Sequence, residues 1–178
     1  KFPVIYGEKG SLLVTLTSAV EQPDLSVCSG EVVNSIPDVA HLRGFSLYSA
    51  GWTLEEGFTL LAEPECADHW RLYGRGGHSS KPEACLNPIT ATAQLLHQRF
   101  NTRWTQQLYE ITETNTAQSG VRFALDTAGE CGKILLVPTA LNIDNGLLTL
   151  TLNVRHPANR SVEIITQRPA PWNRDWLG

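Results

Sequence analysis

A histidine in a glycine-rich segment is the first residue whose surroundings could support chemistry. His78 lies in Gly-Arg-Gly-Gly-His-Ser-Ser-Lys-Pro, residues 74–82, and the glycines permit close approach of the backbone to another group. The segment is not a phosphate-binding loop, because the G-x-x-x-x-G-K-[S/T] spacing and a preceding buried parallel strand are both absent. His78 is therefore a candidate functional residue, with an ordinary loop histidine as the alternative.

Two further polar residues occupy the ends of predicted strands. Asn34 lies in Val-Val-Asn-Ser-Ile-Pro-Asp, residues 32–38, between a predicted strand and a predicted helix. An asparagine at such a place can also simply bond to nearby backbone in a turn. Arg155 lies in Leu-Asn-Val-Arg-His-Pro, residues 152–157, where a guanidinium can meet a ligand or remain a solvated surface charge.

The first half of the chain is predicted to be mostly strands followed by a helix. Ser35, Pro37 and an acid favourable to the helix dipole predict a short helix that ends near Gly44. Asn87 as N-cap and Pro88 at the first helical position predict a second, longer helix with one apolar stripe. The predicted strands cover residues 11–17, 26–33, 58–62 and 70–73.

The second half is predicted to be a helix followed by a β-hairpin. Asn145-Gly146 between two apolar runs is the strongest short hairpin signal, since both turn positions favour residues that tolerate positive φ. In the last strand, alternation places four apolar residues on one face and Arg155 on the other, polar face. The predicted elements are a helix at 104–111, strands at 134–137, 140–143 and 147–154, a weak helix at 161–167 and an irregular tail from residue 168.

This pattern predicts an α+β fold. Runs of antiparallel strands with helices on one face describe a two-layer sandwich, which two related ferredoxin-like lobes sharing one sheet would also produce. The approximate lobes are residues 10–100 and 101–167, and no internal sequence repeat is visible.

Composition excludes several classes of function. The 178 residues carry 14 basic and 18 acidic side chains and a net charge of −4, so no broad basic surface is available for nucleic acid. No apolar run approaches the roughly 20 residues of a membrane-spanning helix, and no signal-peptide pattern opens the sequence. We therefore expect a soluble, cytoplasmic protein with neither nucleic-acid nor membrane partners.

Cysteine and histidine spacing gives no local support for a metal site. No Cys-x-x-Cys or His-x-x-x-His pair occurs, so no residue is predicted to be a metal ligand. Scattered cysteines are typical of buried or unused thiols in a reducing compartment. The residues concerned are Cys28, Cys66, Cys85, Cys131, His41, His69, His78, His97 and His156.

Several segments, taken in order, resemble a known family. The sequence is similar to the lid domain of cytosolic zinc dipeptidases of the carboxypeptidase and aminoacylase type, in the branch of the bacterial Xaa-His dipeptidases. The resemblance extends from residue 1 to about residue 160, and the connecting region at residues 119–132 shares it. The matching segments are Phe-Pro-Val-Ile-Tyr-Gly-Glu-Lys-Gly at 2–10, Asn-Ser-Ile-Pro-Asp-Val-Ala at 34–40, Gly-Gly-His-Ser-Ser-Lys-Pro-Glu at 76–83 and Leu-Thr-Leu-Thr-Leu-Asn-Val-Arg-His-Pro at 148–157.

The resemblance implies an enzyme in which this chain folds over a dipeptide bound to a separate catalytic domain with two zinc ions. His78 would donate a hydrogen bond to the oxyanion of the tetrahedral intermediate. Asn34 would hold the substrate or the intermediate, and Arg155 would bind the free α-carboxylate of the dipeptide. The zinc ligands would lie in the catalytic domain of the same polypeptide, outside this chain.

The whole chain is accordingly expected to be a lid fragment, with the agreement fading after Pro157. The sequence has no methionine and begins at Lys1, which suggests an interior piece of a longer polypeptide. Alone, the chain is expected to bind no stoichiometric zinc and to hydrolyse no dipeptide. The alternative is a non-catalytic dimerisation or peptide-binding module that pairs through an exposed sheet edge.

Overall fold

The computed structural model describes residues 10–44, 53–64, 66–113 and 134–156, and the structural statements below concern these residues. They form nine strands, two α-helices and one short 3-10 turn at Pro82–Ala84. The helices are α1 (Pro88–Phe100) and α2 (Arg103–Thr112). The strands are β1 (Gly10–Ala19), β2 (Ser26–Ser29), β3 (Ser35–Ile36), β4 (Val39–Arg43), β5 (Thr59–Glu63), β6 (Cys66–Tyr73), β7 (Gly77–His78), β8 (Leu135–Asp144) and β9 (Leu147–His156).

Seven of the strands form one antiparallel sheet in the order β1-β9-β8-β2-β4-β6-β5. The apolar side chains of its inner face and those of α1 and α2 belong to one buried cluster, so both helices cover the same face. The predicted α+β sandwich, mainly antiparallel and with helices on one face, is confirmed. Strands from both predicted lobes share this sheet, and the lobe boundary near residue 100 stays a prediction.

Alternation along β9 supplies much of the core. Leu148, Leu150, Leu152 and Val154 are almost wholly buried on the helix-covered face, as the period of two requires. The β8–β9 hairpin turns at Asn145 and Gly146, whose φ angles of 48° and 74° are left-handed. Both features were predicted from the sequence and are confirmed.

The long helix begins where the sequence predicts it. The side chain of Asn87 accepts a hydrogen bond from the Ile89 N–H at 3.0 Å, and Pro88 occupies the first turn. The helix ends at Asn101 in the left-handed conformation, a common way to close a helix. The shorter helix α2 encloses the predicted 104–111 segment.

The predicted helix between Ser35 and Gly44 is wrong. The structure places β3 and β4 there, separated by Pro37 and Asp38. Burial alternates in β4, with Ala40 and Leu42 inside, and β4 pairs with β2 on one side and β6 on the other. The serine, proline and acid that resemble a helix start are outweighed by packing in the sheet, which local signals do not contain.

Other strand boundaries differ in extent. The predicted strand at 26–33 ends at Ser29, because Gly30 turns the chain with a φ of +80°. The two predicted strands at 134–137 and 140–143 are one strand with a register shift between Pro138 and Ala140. The predicted helix at 161–167 and the tail from residue 168 lie outside the described residues.

Candidate functional site

The glycine-rich segment is held in place by Asp38. Its carboxylate Oδ1 accepts a hydrogen bond from the Gly76 N–H at 2.8 Å, and its carbonyl oxygen accepts one from the Gly74 N–H at 2.8 Å. A Cβ atom at Gly76 would lie 2.5 Å from the carbonyl oxygen of Ile36, which is closer than any side chain permits. Glycine is therefore required there, as the sequence analysis proposed for close backbone approach.

His78 lies at the end of β7, opposite Ser35 in the small β3–β7 sheet. The imidazole is exposed, and its Nδ1 accepts a hydrogen bond from the Ser80 N–H at 3.2 Å. The Ser80 hydroxyl lies 2.7 Å from the same nitrogen. Since Nδ1 is an acceptor, this hydrogen-bond network assigns the proton of the neutral ring to Nε2. His78 therefore presents an exposed Nε2–H donor.

Asn34 lies immediately before β3 and beside the His78 segment. Its carbonyl oxygen accepts a hydrogen bond from the Ser79 N–H at 3.0 Å. The side chain is exposed and has no hydrogen-bond partner in the described part of the chain. The local alternative, a side chain bonded to turn backbone, is thus not what the described residues show, and the amide is available to a ligand.

Arg155 lies near the end of β9, opposite Ser11 of β1 and Leu135 of β8. It is half-buried on the face of the sheet away from the helices. Its Nε is buried and has no hydrogen-bond partner among the described residues. A guanidinium binds a carboxylate in a two-bonded fork when two of its N–H groups donate, and Nε can supply one of them.

A residue that the sequence analysis did not single out connects these positions. Asn153 is 2% exposed, and its Nδ2 donates a hydrogen bond to the carbonyl oxygen of Val33 at 3.1 Å. The structure therefore brings His78 and Asn34 into backbone contact through Ser79, and ties the Asn34 loop to the strand of Arg155. An asparagine inside a strand is the signal that could have drawn attention to it, because asparagine is depleted in strands.

The open face of the sheet also carries a group of basic residues. His41 and Arg71 are directly opposed, as are Arg43 and His69, and the two histidine rings lie 5.7 Å apart. Arg71 forms an ion pair with Glu63. Burial, reinforced chiefly by Arg43, lowers the pKa of His69 below its usual value, against an opposing effect of Glu63.

The described ranges contain no group of three or more histidine, cysteine, aspartate or glutamate side chains placed to hold a metal ion. Neither described helix is long and apolar enough to cross a membrane. No residue of this site is therefore assigned as a metal ligand.

Similarity to known proteins gives no independent identification of the site. The sequence matches no protein-family model, and no curated protein gives a significant match to it.

Proposed function

We propose that this chain is the lid of a cytoplasmic, zinc-dependent dipeptidase and that it binds the substrate and stabilises the reaction intermediate. The observation that carries the proposal is the state of His78. Its Nδ1 is occupied by the Ser80 N–H, and its Nε2 has no partner within the described ranges. A residue that must donate to a developing oxyanion needs such an exposed and defined N–H.

The reaction would use His78 as a hydrogen-bond donor rather than as a base. When a nucleophile adds to the carbonyl carbon of a peptide bond, negative charge accumulates on the carbonyl oxygen. A preorganised donor at that oxygen lowers the barrier because its interaction is stronger in the transition state than in the ground state. The backbone bonds that hold Ser79 and Gly76 keep this donor in place.

Arg155 and Asn34 would provide binding and orientation. The half-buried guanidinium of Arg155, whose Nε has no partner among the described residues, would bind the free α-carboxylate of a dipeptide, and a site built for that group penalises longer or blocked peptides. The exposed Asn34 amide can donate to a carbonyl oxygen and accept from an N–H. Together these two residues favour short peptides with a free carboxyl terminus as the substrate class.

Zinc would belong to the catalytic domain of the same polypeptide. When bound there, two zinc ions would activate the attacking water. Under this proposal the chain contributes hydrogen-bond donors and binding groups, and the zinc ligands come from the catalytic domain.

The test is dipeptide hydrolysis by the complete polypeptide, measured with and without a chelator. Losing one oxyanion donor costs on the order of 3 kcal/mol, so His78→Ala is expected to lower kcat by a few hundredfold. The matched control is Ser80→Ala, which removes the nearby hydroxyl and keeps the backbone N–H that fixes the tautomer. Unchanged turnover and affinity in His78→Ala, or activity that survives chelation, would contradict the proposal.

A second candidate function, a dimerisation module, is favoured by β1. This ten-residue strand carries no charged residue or proline and lies at one edge of the seven-stranded sheet. Uncharged, regular edge strands readily pair with another chain. If β1 pairs with a second copy, gel filtration of the chain will show a dimer. Leu13→Lys and Thr15→Lys together should convert that dimer to a monomer. A function as a dimerisation module would not require dipeptidase activity.

A further inference from the structure

We propose that Asn153 is a positioning residue that sets the placement of Asn34 and His78 relative to Arg155. The inference rests on the proposed function for its chemical meaning. Its structural basis is separate and consists of two consecutive hydrogen bonds: Asn153 Nδ2 to the Val33 carbonyl at 3.1 Å, and the Ser79 N–H to the Asn34 carbonyl at 3.0 Å.

The first bond fixes the Asn34 loop to the sheet. Residues 31–34 lie between β2 and β3 and are exposed, so they contribute little apolar burial of their own. Within this segment, the Ser35 N–H donates a hydrogen bond to the Val32 carbonyl at 3.0 Å. Among the described residues, the Asn153 side chain supplies the side-chain bond from the large sheet to this loop.

The second bond passes the same placement to the glycine-rich segment. Ser79 is completely buried, and its N–H bond to Asn34 lies one residue beyond the His78 pairing with Ser35. Any shift of the Asn34 carbonyl therefore moves the backbone that carries the imidazole.

Asn153 is also tied to the surroundings of Arg155. Its Oδ1 lies 3.5 Å from the hydroxyl of Ser11, and Ser11 is the β1 residue directly opposite Arg155. Asn153 and Arg155 are two residues apart on one strand and share a face. One buried amide thus contacts both the Asn34 loop and the β1 residue opposite Arg155.

The role requires a side chain that donates to a carbonyl and accepts from a hydroxyl at once. An amide does both, which a carboxylate or an aliphatic side chain does not do. A buried carbonyl left without its donor carries the full desolvation penalty, so the loop would move away and become hydrated.

The structural arm of the test uses amide hydrogen exchange of the 178-residue chain. Asn153→Val keeps strand propensity and removes both hydrogen-bonding groups, and loss of a buried hydrogen bond is expected to speed exchange of the Ser79 N–H by about tenfold to a hundredfold. The Val20 N–H, bonded to the Gly146 carbonyl at the hairpin, should change by less than about twofold if the effect is local. Asn153→Leu serves as a second variant of similar size.

The matched control is Asn142→Val. Asn142 is an exposed asparagine on the same face of the neighbouring strand β8. The control substitution should leave exchange of the Ser79 N–H unchanged. If Ser79 and Val20 accelerate equally in both Asn153 variants, or if Ser79 does not accelerate, the positioning role is overturned.

The functional arm uses the complete polypeptide and a double-mutant cycle. Misplacing catalytic groups by about 1 Å can cost a hundredfold in rate, so Asn153→Val is expected to lower kcat/KM by about tenfold or more when His78 is present. In the His78→Ala background the same change should cost less than about threefold, because the interaction it positions is already gone. Equal losses in both backgrounds would overturn the inference. A wild-type polypeptide without dipeptidase activity would instead overturn the proposed function, and the hydrogen-exchange result would then decide whether Asn153 positions the Asn34 loop.

Discussion

Asp38 and Gly76 are joined by a 2.8 Å hydrogen bond from the glycine N–H to a carboxylate oxygen. The same aspartate also accepts the Gly74 N–H through its carbonyl oxygen. Two residues that are 38 positions apart in the sequence thereby fix the segment that carries His78. The placement of the candidate site depends on this contact between the residue that precedes β4 and the glycine-rich segment.

Asp38→Ala should loosen that segment. Hydrogen bonds to charged groups contribute about 1.5–3 kcal/mol, and because Asp38 is exposed we expect a loss of about 1–2 kcal/mol in the free energy of unfolding. Urea unfolding of the chain measures it. Asp38→Asn retains an oxygen acceptor and should lose less than half as much; equal losses in the two variants would show that the charge, and not the acceptor, matters.

Arg155→Ala should weaken binding of substrates with a free carboxylate. Removing a charge-assisted bond costs about 1.5–3 kcal/mol, so the KM of a dipeptide is expected to rise by about tenfold to a hundredfold in the complete polypeptide. A dipeptide with an amidated carboxyl terminus is the control and should show no further loss. If the amidated and free dipeptides lose equally, Arg155 does not bind the carboxylate.

Acid should destabilise the chain through His69. Burial is the main cause of the lowered pKa of His69, and Arg43 is the next; His41, Arg71 and Glu63 also face it from β4, β6 and β5. The unfolded state then binds more protons than the folded state, so stability falls as the pH drops from about 6.5 towards the folded pKa.

The measurement is the free energy of unfolding as a function of pH for the wild type and His69→Gln. The variant should have a shallower pH dependence in that interval, because the other histidines are unchanged. Parallel curves for the two proteins would mean that His69 has the same pKa folded and unfolded.

Asn87→Ala should be among the more destabilising polar substitutions. Its side-chain Oδ1 caps α1 and its Nδ2 donates to the Pro138 carbonyl at 2.8 Å, so one buried side chain joins the helix to β8. Loss of a cap and of a buried hydrogen bond together should cost about 2–4 kcal/mol. Thermal or urea unfolding measures the loss, and the exposed Asn142→Ala should change stability by less than about 0.5 kcal/mol.

Elements with a local cause were predictable from the sequence. The hairpin at Asn145-Gly146 and the start of α1 at Asn87-Pro88 depend on backbone preferences of two adjacent residues. The buried face of β9 follows from alternation, and it places Arg155 on the opposite, polar face. These signals act over a few residues, so no knowledge of distant contacts is needed.

Tertiary structure decided what those signals leave open. Ser35, Pro37 and Asp38 carry the features of a helix start, yet pairing of β4 with two neighbouring strands makes the segment extended. Asp38 accepts a hydrogen bond from Gly76, which is 38 positions away, and Asn153 donates one to Val33, which is 120 positions away. The sequence by itself determined which residues have suitable chemistry, because composition and local pattern reveal side-chain type and face. Their meeting in space was decided by sheet pairing, because hydrogen bonds between distant strands form only when the whole sheet is assembled.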